Sequence, residues 1–173
     1  PCLRSTGVSY DVRQAQPYLI YDQLDFDIPV GEKGDNYDRY LVRMEEMRQS
    51  IRIVEQALQK LPDGPIRLAD PRFTMPPKQE VYTNIEALMN HFKLIFDGIR
   101  PPEGEIYQPV EGGNGELGFY LVSNGTGRPH KCRVRPPCFA IMQGLGKMIA
   151  GGMIADIVAT FGTVNMIAGE NDR

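Results

Sequence analysis

The chain has 173 residues and a net charge of −3, with 42% hydrophobic and 24% charged residues. These values suit one globular domain with a real core and give no basis for nucleic-acid binding. Three irregularly spaced cysteines (Cys2, Cys132, Cys138) and two histidines (His91, His130) are too few for an all-protein zinc or iron–sulfur site, and the cysteines read as reduced thiols.

Residues 1–35 read as irregular, punctuated by Pro17, Pro29, Gly31 and Gly34, with Tyr10, Tyr18, Tyr21 and Phe26 scattered between. A loop of this length needs other protein to pack against. A long helix follows. Tyr37, Tyr40, Leu41, Met44, Met47, Ile51, Val54, Leu58 and Leu61 recur at spacings of three and four. Asp35 or Asn36 can cap its start, and Pro62-Asp63-Gly64 stops it. Its polar side carries Arg39, Arg43, Glu46, Arg48, Arg52 and Glu55, so the expectation is apolar face in, charged face out. After a Pro-rich connection over 64–78, a second helix is expected from about Gln79 to Gly98, forming an antiparallel hairpin with the first.

The texture then changes. Glu105–Val110, Glu116–Val122 and Pro129–Val134 alternate or carry β-formers, with turns at Gly112–Gly115 and Asn124-Gly125. They predict a small antiparallel meander. Lys131, Arg133 and Arg135 share one face of its last strand, as a solvated stripe pairing with Glu111 or Glu116, or as an anion-facing surface. Gly112-Gly113-Asn114-Gly115 lacks the GxxxxGK[ST] pattern and precedes a strand, so it reads as a hairpin turn and not as a phosphate loop. Phe139–Ile149 and Met153–Phe161 read as two short, deeply buried helices, joined at Gly151-Gly152. No apolar run reaches the roughly 18 residues of a membrane span. The last twelve residues, Gly162 to Arg173, are mostly small or apolar and end in charges, as a tail built for burial. No nucleophile–base set or metal-ligand cluster is apparent. The first residue is Pro1, and the chain is expected to be a piece of a longer protein.

Several segments resemble one family. Leu3-Arg4-Ser5-Thr6-Gly7-Val8 with Tyr10-Asp11-Val12-Arg13 and Pro17-Tyr18 is similar to its LRxSGxxxDxR…PY stretch. Gly34-Asp35, Tyr37-Asp38-Arg39-Tyr40, Val42-Arg43-Met44-Glu45-Glu46-Met47 and Ser50 resemble its GDxYDRYxVRxxEMxxS helix start. Gly115-Glu116-Leu117-Gly118, Tyr120-Leu121-Val122-Ser123 and Lys131 to Pro137 resemble its sheet, and Ala155-Asp156-Ile157-Val158 with Gly162-Thr163…Gly169-Glu170…Asp172-Arg173 its end. On these motifs the chain is identified as the C-terminal part of a member of the quinone-site large-subunit family of complex I (NADH:quinone oxidoreductase). That family is related to the nickel–iron hydrogenase large subunit.

The resemblance implies an α+β fold, mainly α: a long helical hairpin, a small antiparallel β meander and a buried C-terminal tail, nickel–iron hydrogenase large-subunit-like. The expected division is 1–35 irregular, 36–99 helical hairpin, 104–136 meander, and 138–173 short helices and tail. The hydrogenase tail carries DPCxxC. Its two nickel-holding cysteines fall here on Ile167 and Glu170, which supply no thiolate. The resemblance therefore implies no metal bound by this chain, with quinone as the substrate of the complex. Asn165, Ile167, Glu170 and Arg173 would wall the quinone chamber, beside an iron–sulfur small subunit and the other subunits. The complex would lie peripherally, on the cytoplasmic side of the bacterial inner membrane. Two departures stand out. The family usually has Asp where this chain has Asn165, and its ExP[KR]GE loop here reads Glu111-Gly112-Gly113-Asn114-Gly115-Glu116. The family's quinone-headgroup His and Tyr lie upstream and have no match here. The alternatives are a related membrane-bound oxidoreductase module with another electron donor, or a non-catalytic structural or assembly domain.

Overall fold

The computed structural model describes residues 1–172. The fold is α+β and mainly α, with one three-stranded antiparallel sheet in the order β1-β2-β3. It divides into two compact units. One comprises Pro1–Leu61, Gln108–Gly118 and the chain from Val134 on; the other comprises Pro62–Tyr107 and Phe119–Arg133.

In the first unit, α1 (Val12–Ala15) is a single turn capped by Asp11, whose carboxylate accepts from the Arg13 amide at 2.9 Å. The long helix α2 (Asn36–Gln59) begins where expected: Asp35 Oδ1 accepts from Asp38 N at 2.8 Å. The strands β1 (Gly104–Gly112) and β2 (Gly115–Ser123) meet at the two-residue turn Gly113-Asn114, and β3 is Lys131–Arg135. Pro137, at the first position of α5 (Pro137–Ile149), starts that helix, since its missing N–H costs nothing there. The helix α6 (Asp156–Val164) and the short α7 (Ala168–Asn171) complete the chain.

The orientation of α2 reverses the expected one. Its apolar stripe lies outside: Tyr37 is 66% exposed, and Leu41, Met47, Ile51, Val54 and Leu58 are exposed as well. The inward face carries Arg39, Val42, Arg43, Glu46, Gln49 and Gln56, all buried or half-buried. The reason is the segment over 1–35. It is too short of apolar residues to fill a stripe, but its backbone is rich in unmatched amides and carbonyls, and α2's polar side chains supply their partners. Asp25 N donates to Gln56 Oε1 at 2.9 Å and Asp27 N to Gln49 Oε1 at 3.1 Å, while Gln56 Nε2 donates to Asp25 O at 2.6 Å. Arg52 pairs with Asp25 and Asp27. Gly31 closes the segment on itself: its N–H donates to Arg4 O at 2.9 Å, and a Cβ there would stand 2.7 Å from Ser5 O.

Arg4 ties this unit together. It is only 5% exposed, and its guanidinium bonds Glu46 on α2, Glu111 on β1 and Tyr10 O, the last at 2.9 Å, with Asp11 at 3.2 Å. Asp11 in turn takes Arg13 at 2.6 Å. Toward its N-terminus α2 packs on α6 through hydroxyls. Arg39 Nε donates to Thr163 Oγ1 at 3.1 Å, and Asn36 Nδ2 to Thr160 Oγ1 at 3.1 Å.

In the second unit the expected single helix is two, α3 (Lys78–Thr83) and α4 (Ile85–Phe96). Asn84 breaks it. Its backbone is extended, and its side chain accepts from Glu86 N at 2.9 Å and Ala87 N at 3.3 Å, so it caps α4 and interrupts the run. The helical pairings within the units are α2 with α6, α5 with α6 and α7, and α3 with α4. A hairpin of two long helices is not among them, because only one long helix exists.

The short helices and tail are not deeply buried. Phe139, Ile157, Val158, Phe161 and Ile167 are exposed, and in the described tail Val164 alone is buried. Among the described residues no helix is long and apolar enough to cross a membrane.

Two outcomes follow from the Arg4 network. Arg4→Ala leaves Glu46, Glu111 and Asp11 without their shared cation, and urea denaturation should show a loss of about 3–5 kcal/mol. Burial pushes the Asp11 carboxyl up, but hydrogen bonds from Arg13 and the charge of Arg4 outweigh it, so its pKa lies below the ordinary 3.8. A depressed carboxylate stabilises the fold above its unfolded pKa, and that contribution disappears as pH falls through the folded value. Stability measured from about pH 5 down to about pH 2 should fall less steeply in Asp11→Asn than in the unchanged protein.

Candidate functional site

The tail folds around Cys138, which sits in the first turn of α5 and is 1% exposed. Helix α6 ends at Asn165 in the left-handed conformation, φ 55° and ψ 54°, which Asn tolerates better than most residues. Its N–H closes the helix on Phe161 O at 3.2 Å. The chain then turns through Met166 and Ile167 into α7.

Three of the four expected site residues come together here. Asn165 O lies 3.8 Å from Cys138 Sγ. Glu170 Oε2 accepts from Cys138 N at 3.0 Å. Pro136, the residue before α5, offers no side-chain cap, so Glu170 caps α5 from across the tail, with its negative charge at the positive end of the helix dipole. Ile167 is 47% exposed. Arg173 lies outside the described residues.

Two further residues belong to the cluster. Asn114, in the β1–β2 turn, is buried; its Nδ2 donates to Asn165 O at 3.0 Å and to Cys138 Sγ at 3.3 Å. Asn165 Nδ2 donates back to Asn114 Oδ1 at 2.8 Å. The Gly-rich turn is thus a hairpin, as expected, but one whose tip reaches the tail. Its departure from the family loop was the one signal in the sequence that marked position 114. Nothing marked Cys138. Burial, and secondarily Glu170, push the Cys138 thiol above its ordinary range, so it is neutral at physiological pH.

Two concavities adjoin the tail. One is an open, mainly apolar recess of about 460 Å³ lined by Phe139, Met142, Gln143, Met166, Ala168 and Asn171. The other, of about 370 Å³, is polar, and its lining includes Arg13, Arg43, Glu111, Gly113 and Asn165. The Nε and Nη2 atoms of Arg43 are buried with no hydrogen-bond partner among the described residues, and burial lowers its pKa. On β3, Arg135 donates to Glu116 O at 2.6 Å, so it meets the backbone of β2 and not a carboxylate. Among the described residues no group of three or more His, Cys, Asp or Glu is placed to hold a metal ion.

A mainly helical α+β chain, whose tail is fastened by hydrogen bonds and flanked by cavities, is the kind of polypeptide that shapes a site within a larger assembly. Residues 1–173 match the family model described as respiratory-chain NADH dehydrogenase, 49 Kd subunit. The chain belongs to that family. It is similar to the D-type NADH-quinone oxidoreductase subunit 1 of Sorangium cellulosum, 60% identical over 172 residues that make up 99% of this chain and 43% of the relative. It is 58% identical over 173 residues to the D-type subunit of Myxococcus xanthus, covering all of this chain and 42% of that one. To the C/D-type subunit of Bdellovibrio bacteriovorus it is 57% identical over 173 residues, 31% of the relative. The chain therefore spans less than half the length of these relatives.

The cap across the tail predicts a graded response. Glu170→Gln keeps an acceptor but loses the charge and should cost about 0.3–1 kcal/mol. Glu170→Ala leaves Cys138 N unmatched and should cost about 0.5–2 kcal/mol. Urea midpoints of the two variants check the order.

Proposed function

We propose that this chain is a segment of the quinone-site subunit of an NADH:quinone oxidoreductase, and that its tail walls the quinone chamber. In this reading the parent complex passes electrons from NADH through iron–sulfur clusters to quinone and couples the transfer to proton translocation. The partner across the chamber is the iron–sulfur small subunit, and the assembly lies peripherally on the cytoplasmic side of the bacterial inner membrane. The names of the relatives support the class of reaction. The observation that carries the role of this segment is the apolar recess beside the tail, with Met166 and Ala168 in its lining and half-exposed Ile167 between them.

Each expected residue has a distinct task. Ile167 gives apolar contact to the quinone. Asn165 offers a neutral amide. Glu170 acts through its cap on α5 and fixes the wall, and Arg173 adds a positive charge at the end of the chain. The unmatched N–H groups of Arg43 beside Asn165 offer donors to an oxygen-bearing group, as buried donors require. The outward stripe of α2 supports the larger assembly: Tyr37, Leu41, Met47, Ile51, Val54 and Leu58 form an apolar face too long for a free surface. We assign its cover to the part of the parent polypeptide outside these residues.

The test is kinetic, in the assembled complex. Ile167→Ala should raise the KM for a short-chain ubiquinone analogue roughly tenfold, with rates normalised to NADH oxidation by a water-soluble artificial acceptor. An unchanged KM in both Ile167→Ala and Ile167→Glu would remove Ile167 from the wall and, with it, the reading.

A further inference from the structure

The contact between Asn114 and Asn165 is reciprocal and carries no charge. Asn114 uses its whole amide: Oδ1 accepts from Asn165 Nδ2 at 2.8 Å, while Nδ2 donates to Asn165 O at 3.0 Å and to Cys138 Sγ at 3.3 Å. The two residues lie 51 positions apart in sequence, so the turn of a hairpin holds the end of a helix. Asn165 needs that hold. It is one of two non-glycine residues with positive φ among those described, and a single residue in this region costs roughly 1–2 kcal/mol. Everything the tail places depends on the turn it makes: Ile167 two residues on, and Glu170, which reaches back to Cys138 N at 3.0 Å.

We infer that Asn114 is a positioning residue, which locks Asn165 in its left-handed turn through the exchanged amide pair and so holds the tail against Cys138 without any ionised group. The consequence for quinone rests on the chamber-wall reading above; the lock itself does not. A neutral lock keeps its geometry at every pH where proteins function, because neither amide titrates.

The chemistry of the pair dictates the test. In Asn165→Asp the atom that donates to Asn114 Oδ1 becomes a carboxylate oxygen. Two acceptors then face each other at the 2.8 Å spacing of the present bond. Protonating the acid restores a donor; ionising it opens the lock. Asn114 cannot rotate its amide to compensate without losing its bonds to Asn165 O and Cys138 Sγ. A lysine at 114 has only donors and suits the carboxylate.

Alkylation of Cys138 in the assembled complex, followed by peptide mass spectrometry, reads the opening directly, since the thiol is shielded beneath this contact. At each pH the rate is taken relative to the unchanged protein. For Asn165→Asp the ratio should rise roughly fivefold between about pH 6 and about pH 8.5, as one lost hydrogen bond predicts. Adding Asn114→Lys should suppress the rise. Asn165→Gly, which accepts the left-handed backbone but has no amide, should alkylate faster than the unchanged protein by a factor that does not vary with pH. A flat ratio near one for Asn165→Asp would overturn the inference, as would Asn165→Gly alkylating like the unchanged protein. The KM for the ubiquinone analogue, measured on the same variants, separates the two claims. If alkylation rises while KM stays constant, the lock stands and the chamber-wall reading falls.

Discussion

One guanidinium organises the first unit. Arg4 sits almost fully out of solvent and joins the N-terminal segment to α2 through Glu46 and to the sheet through Glu111. Removing a cation from water costs several kcal/mol, so this position is tenable only because three carboxylates and a carbonyl receive it. Asp11 extends the set to Arg13, whose guanidinium lies 4.8 Å from the Phe26 ring centre. The apolar core is correspondingly small: Val12, Phe26, Val42, Cys138 and Val164 are its fully buried hydrophobic members. Geometry is therefore imposed by directional bonds. Their directionality explains how a segment without regular structure over 1–35 holds a definite path.

Much of the architecture was legible because its signals are local. Asp35 and the Pro62-Asp63-Gly64 stop bracketed α2, and turn chemistry at Gly112–Gly115 located the first hairpin. Asn84 was legible in principle, since an Asn followed two residues on by Glu86 is a cap pattern, but the apolar period running through it masked the break. The facing of α2 was not legible. Periodicity says which side of a helix seeks burial; it does not say what is available to bury it. Here the polar loop took the polar side, and the stripe over Tyr37 to Leu58 was left facing out.

The site divides in the same way. Asn165, Ile167 and Glu170 were reached by position within a family pattern, and the fold gathers them around one thiol. Asn114 and Cys138 entered only with the folded structure, because their bonds to the tail span 51 and 27 residues and leave no periodic trace. The task of Glu170 also changed. It was expected to balance a terminal arginine, and it caps the start of α5. Position 165 and position 114, the two places where the chain departs from the family pattern, are the two halves of a single contact.

The fastenings of the first unit differ in what the solvent can do to them. Arg52 is 41% exposed and its partners Asp25 and Asp27 are 79% and 78% exposed, so dissolved ions reach and screen that end of the segment. Arg4 is shielded from them, and the amide pair at the tail has no charge to screen. Ionic strength is thus a selective variable: salt loosens the segment over 23–27 from the C-terminal half of α2 and leaves the rest of the unit in place. The strap around the long helix is hinged at one end.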